Sequence, residues 1–251
     1  MRPMSLLQRL AELRESEVRG VLFTVLEGAE AGRKLLVSED GEAVGDASPD
    51  LATYAEDVLR QGRNRLLDVE GTRVFAEWYG PPPRLFVYGA VDTAEALCAA
   101  AKLLGWRTIV ADARAKFATT ERLPSADELI VEWPDQALAQ VEPDHHTAVV
   151  VLTHDDKFDE PALVGALATD AFYIGALGSR RNQERRRERL LEAGVSEEQL
   201  ERISGPCGLD VGADSPEETA LSILSEALAV RAGRSGGRLR ESPKRIHAET
   251  A

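Results

Sequence analysis

Residues 173–182 read Tyr-Ile-Gly-Ala-Leu-Gly-Ser-Arg-Arg-Asn, and the class of fold can be argued from them. A short apolar segment runs into two glycines, Gly175 and Gly178, and Ser179 follows as a residue type that caps helices. The order strand, glycine turn and capped helix is typical of a parallel sheet covered by helices, in which such turns lie at the carboxyl ends of the strands. The stretch predicts an α/β fold with a ligand loop at Gly175–Arg181.

Segments of the same kind lie on both sides of this stretch. Apolar runs with the length of a strand occur at 85–88, 108–111, 128–131, 148–152 and 172–174. Helical patterns lie between or after them at 93–104, 135–140, 160–168, 182–193 and 215–231. Strands that are apolar on both faces and are followed by helices belong to a parallel sheet covered on two sides. We therefore expect residues 84–231 to form a Rossmann-like, doubly wound parallel sheet.

The first 80 residues show a different pattern. Helices are expected from Ser5 to Glu15 and from Ser48 to Arg60, and runs of strand-forming residues lie at 21–26, 34–37 and 73–78. This pattern predicts a smaller α+β domain over residues 1–80. The prolines at 81–83 lack backbone donors and fix an extended chain, so they are expected to form a stiff linker. The basic tail over 232–251 is expected to be disordered.

The composition limits the classes of function. The 251 residues carry 43 acidic and 30 basic side chains, and the formal net charge of −13 argues against nucleic acids and anionic membranes as partners. Cys98 and Cys207 lie far apart in sequence and have no metal-ligand spacing, so no disulfide framework or structural zinc site is predicted. The chain start lacks the apolar core of a signal peptide, and no apolar run is longer than a strand. These features predict a cytoplasmic protein without a membrane span.

The turn after the first strand of the predicted sheet, Gly89-Ala90-Val91-Asp92, has the position of a dinucleotide-binding fingerprint. A pyrophosphate can approach such a turn only where the second fingerprint position is glycine, and this chain has Val91 there. Asp112, at the end of the next strand, has the spacing of a ribose-binding carboxylate. Two interpretations stay open, a nucleotide site and a Rossmann-like turn that serves packing alone.

Polar residues follow the strand at 148–152. His154 is a candidate proton shuttle, and Asp155 a candidate base or hydrogen-bond acceptor. The alternative is a loop whose acids cap a helix that begins near Pro161.

Basic residues follow the glycines of the ligand loop. Arg180 and Arg181 can give bidentate contacts to a phosphate. The arginines further along the same helix, among them Arg186, are expected on a solvated face with ion pairs to neighbouring glutamates.

A fourth candidate loop at 205–213 carries three glycines before a capped helix, whose dipole favours an anion. Asp210 and Gly212 lie in this loop. Cys207 is a candidate reactive thiol, but it has acidic neighbours and no nearby histidine, so we favour a small residue that fills a tight loop.

Together these loops resemble the XdhC/CoxI family of xanthine dehydrogenase accessory proteins. The matching motifs cover about residues 84–230 and are Gly105-Trp106, Asp112-Ala113-Arg114, Phe117-Ala118-Thr119, Thr153-His154-Asp155, Lys157-Phe158-Asp159, Tyr173–Arg181, Gly205-Pro206 and Gly208–Ala213. The resemblance implies a cytoplasmic maturation factor that binds the molybdenum cofactor, molybdopterin, and delivers it to a molybdenum hydroxylase of the xanthine or carbon-monoxide dehydrogenase type. Such a protein is a carrier, without catalytic residues or metal ligands of its own.

The residues predicted to hold this cofactor come from the four strand-end loops: Gly89, Asp112, Thr153, His154, Asp155, Gly175, Gly178, Ser179, Arg180, Arg181, Asp210 and Gly212. The expected partner is the molybdenum hydroxylase. A cysteine desulfurase and a second copy of the chain are further candidate partners.

The N-terminal part departs from the family pattern. The family has a Gly-Ser-Ser-Pro-Arg turn where this chain has Glu27–Ala31, and a glycine-rich loop with a cysteine where this chain has Gly45–Asp50. The sequence therefore predicts a divergent member with a degenerate N-terminal module. The alternatives are an NAD(P)-dependent oxidoreductase and a scaffold or regulatory protein that binds no ligand.

Overall fold

The computed structural model describes residues 5–153 and 155–243, which divide into two compact units. The described residues of the first unit are 5–81 and 238–243, and the second unit is 82–237. One unit contains an antiparallel sheet and the other a parallel sheet. This architecture confirms the predicted α/β class.

The first unit is built on five strands. Its elements are α1 (Leu6–Glu15), β1 (Gly20–Val25), β2 (Lys34–Ser38), β3 (Ala43–Gly45), a 3₁₀ helix (Pro49–Tyr54), α2 (Ala55–Gln61), β4 (Arg65–Val69), β5 (Thr72–Tyr79) and a 3₁₀ turn (Leu239–Glu241). The strands form an antiparallel sheet in the order β3-β2-β1-β5-β4. Successive residues of β1 point to opposite faces, so Phe23 packs in one core with Val58 of α2 and Leu22 in another with Leu13 of α1.

The hairpin of β4 and β5 was not predicted. Val69 pairs with Thr72, and the two residues between them, Glu70 and Gly71, have φ values of 52° and 82°. Positive φ at both central residues is the type I′ geometry that matches the twist of a two-residue hairpin. The Glu-Gly pair between two partly alternating runs is therefore the sequence feature from which β4 could have been predicted.

The second unit is built on six parallel strands. Its elements are β6 (Arg84–Tyr88), α3 (Asp92–Leu103), β7 (Arg107–Ala111), β8 (Glu128–Ile130), α4 (Pro134–Val141), β9 (Thr147–Val151), α5 (Asp156–Leu167), β10 (Tyr173–Ala176), α6 (Arg180–Glu192), α7 (Glu197–Leu200), β11 (Ile203–Ser204) and α8 (Pro216–Arg231). The strand order is β11-β10-β9-β6-β7-β8. This is the Rossmann order, with three strands on each side of the centre, and it confirms the predicted doubly wound sheet.

The core of this unit lies on both faces of the sheet. On one face Phe86 and Val149 pack with Leu163 of α5, and on the other Val87 and Val150 pack with helices α3 and α8. All five residues of β9 are buried. Burial on both faces explains why the strands appear in the sequence as continuous apolar runs.

Helix α5 begins earlier than predicted. It starts at Asp156, and the Asp155 carboxylate caps it by accepting a hydrogen bond of 3.3 Å from the backbone N–H of Lys157. Pro161 lies inside the helix, not at its start. The early start buries Phe158 and Asp159, which a loop would leave exposed. None of the helices in the described ranges is long and apolar enough to cross a membrane.

Candidate functional site

A cavity of about 520 Å³ opens at the carboxyl ends of β6, β7 and β9. The described residues that line it are Val91, Arg114, Leu152, Thr153, Asp155, Asp156 and Phe158. Strands β6 and β9 are neighbours, and the chain continues from β6 towards one edge of the sheet and from β9 towards the other. Ligands of doubly wound sheets bind at this switch point, where the loops diverge. The cavity has the size of a small-molecule site.

Gly89 lets the loops after β6 and β9 approach each other. Its φ is +114°, and a Cβ atom there would lie 3.1 Å from Thr153 Cγ2 and 3.2 Å from the Thr153 backbone nitrogen. A larger residue would push the two loops apart. Gly89 therefore shapes the wall of the cavity through packing.

Thr153 carries a buried, unpaired hydroxyl behind this wall. Its side chain is 5% exposed, and its buried Oγ1 has no hydrogen-bond partner in the part of the chain that the structure describes. A buried polar atom without a partner costs free energy, and native structures contain few of them. The oxygen is itself closed off from solvent, so it lies behind the cavity wall and not on its open surface. His154, the next predicted site residue, lies outside the described residues.

Asp112 uses its carboxylate within the protein. Oδ1 accepts hydrogen bonds from the backbone N–H of Arg114 at 2.9 Å and from its Nε at 2.8 Å. Oδ2 accepts from the backbone N–H of Ala90 at 3.0 Å and from Arg114 Nη2 at 2.8 Å. Burial raises the pKa of Asp112, but these hydrogen bonds outweigh it and hold the pKa below its ordinary value. The ionised carboxylate thus anchors Arg114, and none of its lone pairs is left for a ribose.

Arg114 is the cationic group of the cavity, and the predicted set of site residues missed it. Its side chain is 38% exposed, and its guanidinium lies 4.4 Å from the ring centroid of Phe117. Nε and Nη2 bind Asp112, whereas Nη1 makes no hydrogen bond to any described residue. The Asp-x-Arg spacing permits this contact, because a two-residue separation lets an arginine chelate the carboxylate after a strand, but the spacing alone does not require it.

The two acidic residues in the lining have cationic partners. Asp155 lies 3.4 Å from Lys157 Nζ, and Asp156 lies 2.8 Å from Nη2 of Arg189. Both carboxylates are therefore compensated, although they remain partly exposed. The aromatic ring of Phe158 adds an apolar surface to the same lining, with Lys157 Nζ 4.6 Å from its centroid.

The loop that follows β10 is placed differently from the prediction of a ligand cradle. Gly175 and Gly178 are absent from the described lining of the cavity. A Cβ atom on Gly175 would lie 2.7 Å from Tyr173, whose ring fills that space. Ser179 caps α6 by accepting from the N–H of Asn182 at 3.3 Å. Arg180 and Arg181 start α6 and are exposed outside this cavity.

The expectation that Arg186 lies on a solvated face is wrong. The residue is 5% exposed, and its Nε and Nη2 lie 2.6 and 3.0 Å from the two carboxylate oxygens of Asp159. Nη2 also donates to the carbonyl of Leu177 at 3.0 Å. Burial raises the pKa of Asp159, and the guanidinium opposes this shift. This ion pair joins α5 to α6 and fixes the start of the β10–α6 loop.

The loop at 205–213 holds an unreactive cysteine. Burial, with a further contribution from the Glu226 carboxylate, raises the pKa of Cys207 to about 12, so the residue is a neutral thiol at pH 7. Glu226 accepts from the N–H of Gly208 at 2.8 Å and from the Tyr173 hydroxyl. Asp210 and Gly212 are exposed and lie outside the described lining of the cavity.

The first unit has a cavity of its own, of about 440 Å³. Its walls come from the turn at 27–30, the segment 48–54 and the hairpin at 69–74. The first two of these are regions in which the sequence departs from the XdhC pattern. Two of the acids in the turn have basic partners, since Glu27 pairs with Arg73 at 3.2 Å and Glu30 with Arg33 at 2.8 Å. Within the described ranges, no group of three or more His, Cys, Asp or Glu residues is placed to hold a metal ion.

Comparisons with known proteins agree with this architecture. The family model described as the XdhC Rossmann domain matches residues 85–227. A protein of Bacillus subtilis strain 168, named as a probable xanthine dehydrogenase subunit, is 33% identical over 160 residues, which cover 64% of this chain and 46% of that protein. The molybdenum cofactor insertion chaperone PaoD of Escherichia coli K12 is 32% identical over 157 residues, which cover 62% of this chain and 43% of that protein. The chain therefore matches less than half the length of either relative.

A solved structure shares the fold. It is a crystal structure described as a xanthine dehydrogenase from Bacillus halodurans, and it aligns with a TM-score of 0.54 at 22% identity. The alignment covers 96% of this chain and 98% of that one. At this identity the likeness shows the fold alone.

Proposed function

The chain belongs to the XdhC family, and from this we propose that it is an accessory factor in the maturation of a molybdenum hydroxylase. In this role it binds the molybdenum cofactor and delivers it to the hydroxylase. The observation that carries the proposal is the cavity at the switch point, with the guanidinium of Arg114 held in its lining by Asp112. The relative named as a molybdenum cofactor insertion chaperone supports it.

The residues of the cavity fit a phosphorylated pterin. Arg114 offers a donor to an anionic group, and Phe158, which is 4% exposed, adds apolar atoms to the cavity wall. Trp133, half exposed, packs beside Phe158 with the ring centroids 5.0 Å apart and the rings tilted by 49°. The bound cofactor supplies the metal and the dithiolene chemistry, and the chain supplies recognition and shielding from water.

The cysteines of this chain are not suited to carry sulfur. Burial raises the pKa of Cys98 to about 12, as it does for Cys207, and neither side chain is a thiolate near neutral pH. We therefore propose a carrier that protects and transfers the cofactor without forming a covalent sulfur intermediate. A cysteine desulfurase as partner and a homodimer stay predictions of the sequence.

The proposal is tested by retention and transfer. The full chain is mixed anaerobically with free molybdenum cofactor and passed through a gel-filtration column, and bound pterin is measured in the protein peak. We expect the cofactor to elute with the protein and then to restore activity when the complex is added to a cofactor-free molybdenum hydroxylase. A protein peak without pterin would contradict the binding role. Retained cofactor that never restores activity would contradict delivery.

A further inference from the structure

We propose that helices α3 and α8 form an interface between two copies of this chain, in which each α8 packs antiparallel on the α8 of the second copy. The inference goes beyond the proposed function, because it concerns a surface on one face of the sheet and not the cavity at its edge. It gives a surface to the second copy that the sequence names only as a candidate partner. The evidence is an exposed apolar helix face and the charges at its two ends.

Helix α8 is apolar on its solvent side as well as on its core side. Its core side carries Ala220, Ile223, Leu224 and Ala227. Leu221 and Leu228 are nevertheless 56% and 37% exposed, and Ser225, also exposed, lies between them. The spacings of four and three residues place these three side chains on one stripe of the helix. A helix that is apolar on both sides is normally covered on both.

Helix α3 widens this face. It lies beside α8, and both helices pack on the same side of the sheet. Ala99 and Leu103 lie on the side of α3 that points away from its buried residues, and Leu103 is 88% exposed. Together the two helices present leucines separated by small residues, which is a surface that another pair of helices can pack against closely.

The face has opposite charges at its two ends. Arg231 ends α8, and its guanidinium lies 5.8 Å from the ring centroid of Trp106, which follows the end of α3 by three residues. The two helices therefore end on the same side of the unit and run in the same direction. Their first turns carry the exposed acids Asp92 and Glu217, whereas Arg231 lies at the opposite end. The face is thus acidic where the helices begin and basic where α8 ends.

A second copy of this chain fits this charge pattern. When two α8 helices pack antiparallel and cross between Leu224 and Ser225, Leu221 of each copy lies opposite Leu228 of the other, because the two leucines are equally far from the crossing. Glu217 of each copy then lies beside Arg231 of the other. Each contact occurs twice, as a closed twofold pair requires.

Other occupants fit the face less well. A parallel pair of the same helices would place acid against acid and base against base, which costs free energy. A partner with a single sign of charge would match one end of the face and be repelled by the other. Two helices from each of two copies also make a four-helix bundle, in which each helix buries its apolar stripe. Charge and pattern therefore favour a second copy.

The pairing leaves the switch-point cavity accessible. Val91, the N-cap of α3, lines the cavity, so the cavity lies at the end where α3 and α8 begin. In an antiparallel pair these ends point in opposite directions. The two cavities of the dimer are therefore separate and open at opposite ends.

The test is sedimentation velocity of the full chain over a range of micromolar concentrations. We expect the wild type to sediment as a dimer, with twice the 27.3 kDa mass of one chain. Leu221→Glu and Leu228→Glu should each weaken the dimer about tenfold or more, because a charge replaces a leucine near the centre of the interface. Val164→Glu is the matched control, because Val164 is 39% exposed on α5, on the other face of the sheet, and the change should leave the dimer intact.

The antiparallel geometry has its own tests. Glu217→Arg and Arg231→Glu should each weaken the dimer, and the double variant should restore it, because the charge pair is then reversed. Ser225→Cys, oxidised under mild conditions, should form a disulfide between the copies, because the two cysteines meet at the crossing. Val164→Cys and the wild type, whose two cysteines are Cys98 and Cys207, are the controls and should not cross-link.

Three outcomes would overturn the inference. They are a monomeric wild type throughout the concentration range, a dimer that both Leu221→Glu and Leu228→Glu leave unchanged, and a dimer in which Ser225→Cys does not cross-link. A monomeric wild type whose leucine variants lose binding to a molybdenum hydroxylase would assign the face to that partner instead. Ser225→Cys replaces a small exposed side chain, so its result decides the matter even if a charged variant fails to fold.

Discussion

Asp112 is the residue on which the geometry of the cavity depends. Its position at the end of a strand predicts a ligand contact. Its distance in sequence from the glycine turn at 89–92 correctly predicts that it lies at the carboxyl edge of the sheet. The sequence could not show that Arg114, two residues later, would fold back and occupy the carboxylate. The same limit applies to Thr153, since an unpaired hydroxyl becomes visible only when all neighbouring donors and acceptors are placed.

Replacing Asp112 with asparagine should destabilise the protein by about 2 kcal/mol, because the change removes a buried carboxylate from Arg114 and the Ala90 amide. The measurement is urea unfolding followed by circular dichroism. Glu128→Gln is the control, since its partner Arg107 is exposed, and it should change the unfolding free energy by less than about 1 kcal/mol. Equal losses of unfolding free energy in the two variants would mean that the buried Asp112–Arg114 pair stabilises the fold no more than an exposed pair does.

The stabilising effect of Asp112 should depend on pH. Its pKa in the folded protein is below the ordinary value of 3.8, so its contribution is fully present well above pH 3.8 and is lost as the pH falls through the folded-state pKa. The difference in unfolding free energy between wild type and Asp112→Asn should therefore be constant above about pH 5 and shrink below 3.8. A difference that grows on acidification would show that the folded-state pKa is not lowered.

At the scale of elements, the sequence predicted the strands of the parallel sheet well, because strands buried on both faces leave continuous apolar runs. It failed where an element depends on partners from elsewhere in the chain. The start of α5 was expected near Pro161, yet the burial of Phe158 and Asp159 extends the helix back to Asp156. Arg186 is one arginine among several in the sequence, and its burial follows from the position of Asp159 on the facing helix.

The buried pair between α5 and α6 gives a prediction at this scale. Arg186→Leu leaves the carboxylate of Asp159 buried without its bidentate partner, so we expect a loss of about 3–5 kcal/mol or a failure to fold. Arg187→Leu is the matched control, because Arg187 is the next residue on α6 and its pair with Glu197 is exposed, so the free energy of unfolding should change far less than in Arg186→Leu. The expectation is checked by denaturant midpoints and fails if both variants behave like wild type.

At the scale of the whole molecule, the Rossmann topology is compatible with a nucleotide enzyme and with a carrier, and the fold does not choose between them. The choice depends on three residues at one edge of the sheet. Val91 stands where a fingerprint needs glycine, and Asp112 is occupied by Arg114. The general class was therefore predictable from the strand pattern, whereas the pairing of Asp112 with Arg114 required the coordinates.

Val91 and the occupied Asp112 together predict that NAD does not stabilise the chain. A true NAD site would raise the unfolding free energy by about 2.7 kcal/mol at a hundredfold excess over its dissociation constant. We expect no shift in the thermal unfolding midpoint with NAD at millimolar concentration, measured by circular dichroism. A clear shift with NAD that Asp112→Asn abolishes would restore the oxidoreductase interpretation.

The first unit contains residues from both sides of the second in the chain, since 5–81 and 238–243 belong to one compact body and 82–237 to the other. Along the chain, the Rossmann unit is therefore flanked on both sides by residues assigned to the first unit. All five strands of that first unit nevertheless lie before residue 80. Excising residues 82–237 would therefore leave its antiparallel sheet in one continuous segment.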